Sequence, residues 1–204
     1  LVLVLMLSSL VIILLLAAAV RLVQFALKRA SRHQRGYRKP ATKVDAALAS
    51  GQPVTLDVYP YTAGSGRMIE YFDLDNPSEE LARVIRLASC PAFPEYEGRS
   101  LTDLAAEGDT TEVSLVKQIL TAPKGDRTLC IQFIIDEDDV RTNLAHADMM
   151  VGSDGIPELK GKPHPRLFGT FPRILARYVR DQGVLSLPEA VRRMTSLPSA
   201  TFGM

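Results

Sequence analysis

"MMVGSDGIP", residues 149–157, carries an apolar run onto a serine, an aspartate and a glycine. A short apolar run closed by a turn signal reads as a buried strand, and a carboxylate directly after such a strand lies where parallel α/β folds keep their sites. Gly155 lets the backbone turn there, which aims Asp154 at a cleft rather than into the core. A carboxylate so placed can take a proton from water, hold a metal, or cap the next turn. Asp-Gly is a frequent turn pair, so the residues alone leave all three open.

Outward from this stretch the chain reads as an α/β domain. Upstream, "VDAALASGQ" (44–52) is a short helix stopped by Gly51, followed by the β-branched "VTLDVYPY" (54–61), a strand ending at Pro60. Helix, glycine, strand is the rhythm of a parallel sheet. From Gly64 to Asp126 runs a long excursion with helices expected at 78–88, 100–106 and 111–121, of the kind that covers something. "TLCIQFII" (128–135) is a strand, and "DEDDVRTNLAH" a helix capped by Asp136, with acids in its first turn that suit the helix dipole. Downstream of Asp154 the pattern predicts a helix over 168–181, and Ser186 with Glu189 reads as a capping box for a helix through Met194. No internal repeat is present.

The first 27 residues are different in kind. Only Ser8, Ser9, Arg21 and Gln24 interrupt their apolar run, which is long enough to cross a bilayer as a helix. A basic stretch follows, residues 28–43, with no acid before Asp45. The positive-inside tendency keeps that flank, and the remaining chain, on the cytoplasmic side. A cleaved secretory signal is the rival reading, since Ala17, Ala18 and Ala19 offer a small-residue site, but no basic segment precedes the run.

Charge and cysteine usage exclude other classes. With 24 basic and 23 acidic residues, the chain lacks the overall positive field of a nucleic-acid binder. Cys90 and Cys130 stand alone, without the spacing of a thiolate zinc site or a disulfide framework, and read as small buried apolar residues.

Four segments, "DVYPYTAGSG" (57–66), "DEDDVRTNLAHADMMVGSDGIP" (136–157), "KPHPRLFGTFPRIL" (162–175) and "LPEAVRRMTSLPSATFGM" (187–204), resemble in order the later barrel portion of the D-aminoacylases. These are N-acyl-D-amino-acid deacylases of the amidohydrolase superfamily. The resemblance implies that 44–204 is the C-terminal part of a (β/α)8 TIM barrel, from an enzyme that binds zinc and hydrolyses the amide of an N-acyl-D-amino acid. It implies that Asp154 acts as base toward a metal-bound water and then protonates the leaving amine. It also implies that Tyr61, Ser65 and Arg166 hold the substrate's α-carboxylate, a task suited to a forked guanidinium and two hydroxyls. From the residues alone, Tyr61 as a core tyrosine and Arg166 as a solvated loop residue stay open. His164, between two prolines, reads as shaping its loop, and His146 as capping a helix end.

The departures from the family lie upstream. Its metal ligands precede the Y-P-Y motif, where this chain has the hydrophobic leader, so the zinc ligands of this chain are unknown. "SRHQRGYRKP" (31–40) offers His33 as a remnant of them, but its spacing to Asp57 is short and its surroundings basic, which argues against a ligand, and one histidine does not hold zinc. Two or three strands do not close a barrel of eight, which predicts open edges and the need for a complementary chain. Two expectations stand side by side: a zinc-dependent hydrolase, cytoplasmic like its family, or a membrane-anchored, non-catalytic or vestigial fragment of one, facing the cytoplasm.

Overall fold

The computed structural model describes residues 39–204 except 53 and 159. The expected leader helix 1–27, most of the basic linker and His33 lie outside the described residues. Among the described residues no helix is long and apolar enough to cross a membrane. The chain divides into two compact units, Leu1–Ala46 and Ala47–Met204, and apart from the first helix the features below belong to the second.

Helix α1 spans Lys39–Ala49, so the end of the expected linker is already helical. It stops at Gly51, whose φ of +79° is a backbone state that suits glycine. Strand β1, Leu56–Val58, follows. Its partner comes about ninety residues later in β5, Met149–Val151, which lies parallel to it with Leu56 opposite Met149 and Val58 opposite Val151. Gly152 N–H donates to Val58 O at 3.1 Å, so the two strands end together. Among the described residues each has a strand neighbour on one side only.

Between them the chain builds a second layer. Strand β2 (Gly64–Arg67) and strand β3 (Ile85–Ser89) flank β4 (Leu129–Gln132) in an antiparallel sheet of order β2-β4-β3. Helices α2 (Glu79–Ala82), α3 (Leu101–Glu107) and α4 (Glu112–Thr121) supply the rest of this region. One core holds Leu87 and Cys130, which face each other across the sheet, with Met68, Phe72, Leu101, Val116 and Ile119. Neighbouring strand residues alternate faces, so Ser65, Ile131 and Arg86, matched across the three strands, share the opposite face.

The helix expected over 78–88 ends at Ala82 and gives way to β3. Ser78 caps it, accepting from Leu81 N–H at 3.2 Å. Beyond that turn Ile85 and Leu87 are buried while Arg86 is exposed, and the alternation of a strand wins over helical propensity.

After β4, α5 (Glu137–Ala145) is capped by Asp136, and following β5 the helix α6 (Arg166–Arg173) starts two residues earlier than expected. Pro172 lacks the N–H that an α-helix needs, and from Ile174 to Asp181 the helix continues in π form. Helices α7 (Leu187–Met194) and α8 (Ser196–Phe202) close the chain. A second core joins the parallel pair to these helices through Val140, Leu144, Val151, Ile174, Tyr178 and Ala190. Only half of the expected capping box forms: Ser186 Oγ accepts from Glu189 N–H at 3.3 Å, but the Glu189 carboxylate turns to Arg192 and Arg193. Those two guanidinium groups hold it down at about 2.

Candidate functional site

The carboxyl ends of β1 and β5 lead into the two loops that carry the polar cluster. In the second loop the left-handed residue is Asp154 itself, at φ +45°. Aspartate is among the few side chains that tolerate this state. Gly155, expected to make the turn, serves another purpose: a Cβ there would stand 2.6 Å from Leu167 Cδ1 and 3.0 Å from Leu167 Cα. Its missing side chain lets the loop lie directly on the start of α6.

That contact brings Asp154 to Arg166. Arg166 Nη2 lies 2.8 Å from Asp154 Oδ2 and donates to the Ser65 backbone oxygen at 2.9 Å. The arginine is 3% exposed, while the aspartate side chain is 63% exposed. Arg166 is therefore no solvated loop residue. It opens α6, where a cation meets the positive end of the helix dipole, and the Asp154 carboxylate offsets that placement. Its guanidinium also stacks over the Tyr59 ring, 4.8 Å from the centroid. Arg166 Nε is buried and makes no hydrogen bond.

His164 fixes the approach to Arg166. Its Nδ1 accepts from the Arg166 backbone N–H at 3.0 Å, and its Nε2 lies 3.0 Å from Ala63 O, to which it donates. One nitrogen accepting and the other donating defines the neutral ring. Burial, with Arg166 nearby, lowers its pKa to about 4. His164 thus ties the loop to the antiparallel sheet, as a loop-shaping residue would. At the end of α5, His146 Nδ1 accepts from Asp148 N–H at 3.2 Å and orders the turn into β5.

Of the four residues expected to form the site, Asp154, Ser65 and Arg166 come together, and Tyr61 stands apart from them. A tight turn, with Tyr61 N–H donating to Tyr59 O at 3.0 Å, separates the two tyrosines of the Y-P-Y motif. Tyr61 meets His164 edge-on at 5.0 Å, lies under Arg173 at 4.8 Å and points its hydroxyl at Gly169. The tyrosine beside Arg166 is Tyr59, whose phenol is pushed up by burial against the opposing pull of that arginine. Strand alternation puts residues 59 and 61 on one face, so only the turn at Pro60 distinguishes them.

Among the described residues no three His, Cys, Asp or Glu side chains gather as a metal site. Both ring nitrogens of His164 are engaged, and the Asp154 carboxylate meets a guanidinium. These residues alone do not fit zinc.

No family model matches the chain. It is 41% identical over 167 residues to a D-aminoacylase of Alcaligenes xylosoxydans xylosoxydans, an alignment covering 82% of this chain and 32% of that protein. An N-acyl-D-glutamate deacylase of the same organism is 39% identical over 163 residues, covering 79% and 30%. Among solved structures, N-acyl-D-glutamate deacylase from Bordetella bronchiseptica, complexed with zinc and a phosphonate mimic of the tetrahedral intermediate, superimposes with a TM-score of 0.67 at 35% identity, covering 82% of this chain and 32% of that one. A D-aminoacylase described as having a binuclear metal centre gives the same TM-score and coverage at 39% identity. The chain spans about a third of the length of the curated relatives it matches.

Proposed function

We propose that over the segment it spans the chain belongs to the D-aminoacylase family, as the part of an N-acyl-D-amino-acid amide hydrolase that carries the proton-transfer carboxylate and the clamp for the substrate's α-carboxylate. In this reading β1 and β5 are neighbouring strands of a partial (β/α)8 barrel, and its other strands come from polypeptide outside the described residues. The observation that supports it best is the meeting of Asp154 and Arg166 at the carboxyl end of a parallel strand pair, where barrel enzymes do their chemistry.

Amide hydrolysis needs a base to take a proton from the attacking water and an acid to deliver one to nitrogen as the C–N bond breaks. One exposed carboxylate can do both in turn, and Asp154 is that group. Arg166, held by Ser65 O and Tyr59, is positioned to fork onto a substrate carboxylate, with the Ser65 hydroxyl and the Tyr59 phenol as further donors. Tyr61 belongs to the same wall, one layer away beside His164. Zinc, bound in the N-acyl-D-glutamate deacylase of Bordetella bronchiseptica, would have to take its ligands from polypeptide outside the described residues.

The test is hydrolysis of N-acetyl-D-amino acids by the zinc-supplemented protein, beside the same amides lacking the α-carboxylate. Asp154→Asn is expected to abolish turnover and leave substrate binding in place. Arg166→Lys should raise KM by about one to two orders of magnitude for the carboxylate substrate only, from about 1.5–3 kcal/mol for a charge-assisted contact. Equal effects on both substrates would overturn the clamp assignment and make Arg166 a structural residue, and absence of turnover in the unaltered protein would mean that this part does not act without the other barrel strands.

A further inference from the structure

A cleft of about 550 Å3 opens beside the antiparallel sheet, walled by Tyr61, Arg86, Ile131, Phe133, Lys162 and His164. Neither Asp154 nor Arg166 lines it. The volume falls in the range of small-molecule pockets. Its floor is the second face of the sheet, where Arg86 and Ile131 are matched across β3 and β4 and the exposed Phe133 follows two residues on. Arg86 stands over the Phe133 ring, 5.7 Å from its centroid. Opposite, the Lys162 backbone N–H donates to Ala88 O at 2.6 Å, and its side-chain stem runs against Gly98, where a Cβ would come within 3.0 Å of Lys162 Cγ.

The charges of this wall are unequal. Arg99, which also lines the cleft, is paired with Glu107, and the Glu97 carboxylate accepts from Cys90 N–H at 3.0 Å. Arg86 and Lys162 have no carboxylate partner among the described residues. Two unpaired cations thus face a half-enclosed space whose remaining surface is mostly aromatic and aliphatic.

We infer that this cleft binds a small organic carboxylate with an apolar body, its anionic end on Arg86 and Lys162 and its body on Ile131 and Phe133. Carboxylates form charge-assisted hydrogen bonds with both cations, and removal from water strengthens them. The apolar floor selects against small, fully hydrated anions. This is a binding site separate from the Asp154–Arg166 pair and independent of turnover.

The test is calorimetric titration of the full chain at low salt with 4-phenylbutyrate and, in parallel, with its neutral amide. The acid is expected to bind at least about tenfold more tightly than the amide. Arg86→Gln and Lys162→Gln, both at exposed side chains, should each weaken the acid about three- to tenfold and leave the amide unchanged, while Phe133→Ala weakens both. No binding of the acid, equal binding of acid and amide, or full affinity in the Arg86→Gln/Lys162→Gln double variant would overturn the inference. None of these outcomes bears on amide hydrolysis, which is read by turnover.

Discussion

Asp154 and Arg166 are ion-paired at 2.8 Å across a boundary between water and interior, the carboxylate on the wet side and the guanidinium on the dry side. For Arg166 to grip a substrate carboxylate it must share or exchange the partner it already has. On the proposed reading the pair would be both a rest position for the clamp and a brake on the base, and substrate arrival would free Asp154 for proton transfer as it engages Arg166. Removing either partner should therefore disturb stability as well as chemistry.

Asp154 sits at φ +45°, which separates the backbone from the charge experimentally. Asp154→Gly removes the ion pair but keeps the turn relaxed; Asp154→Ala removes the pair and strains the turn. Alanine is expected to be less stable than glycine by about 1 kcal/mol, with asparagine, which tolerates the left-handed state, above alanine. Urea denaturation of the three variants measures the order.

Lowering the pH should weaken the fold through His164. Its folded pKa of about 4 lies below the ordinary 6.5, so the unfolded chain takes up a proton that the folded chain refuses. The stability it contributes is complete above pH 6.5 and is lost as pH falls toward 4, by roughly 3 kcal/mol at most. His164→Gln, which keeps a donor in reach of Ala63 O, should flatten the pH dependence of the urea midpoint in that window.

Two glycines of the Asp154 loop differ in what surrounds them. A Cβ at 152 would meet the Asp57 carboxylate at 2.2 Å, and Asp57 is exposed enough to swing away. A Cβ at 155 would meet the Leu167 backbone, which cannot. Gly155→Ala is therefore expected to cost about 1–3 kcal/mol and Gly152→Ala less, checked by thermal unfolding.

Both cysteines should be silent in the native protein. Cys130 is buried and pushed up to about 12, and burial likewise raises Cys90. At neutral pH neither forms thiolate, so a thiol reagent such as iodoacetamide should label both only after denaturation. Rapid labelling of the folded chain would show that the antiparallel sheet opens locally.

The sequence was most legible where the signal is local. Ser100, Thr111, Asp136 and Ser186 each cap the helix they were expected to start, because a cap depends on its next few residues alone. It was least legible where a partner distant in the chain decides. Most of β3, residues 85–88, reads as helix until β4 is there to pair with it, and the two faces of that sheet cannot be assigned before the pairing is known. Tyr59 and Tyr61 differ only through one tight turn. Resemblance brought Asp154, Ser65 and Arg166 to notice but could not disclose that two of them hold each other.

The chain leaves β1 for the antiparallel sheet and returns from it at nearly the same place, since Ile135 N–H donates to Thr62 O at 3.1 Å. Residues 63–134 are therefore a cassette hung from a narrow neck, with a core of its own. Only a few bonds, from Arg166 to Ser65 O and from His164 to Ala63 O among them, latch it to the loops that carry Asp154. Such an arrangement divides evolutionary labour: the cassette can lengthen, shorten or be recoloured with new charges, reshaping one wall of the site, while the register of β1 and β5 and the position of the acid stay as they are.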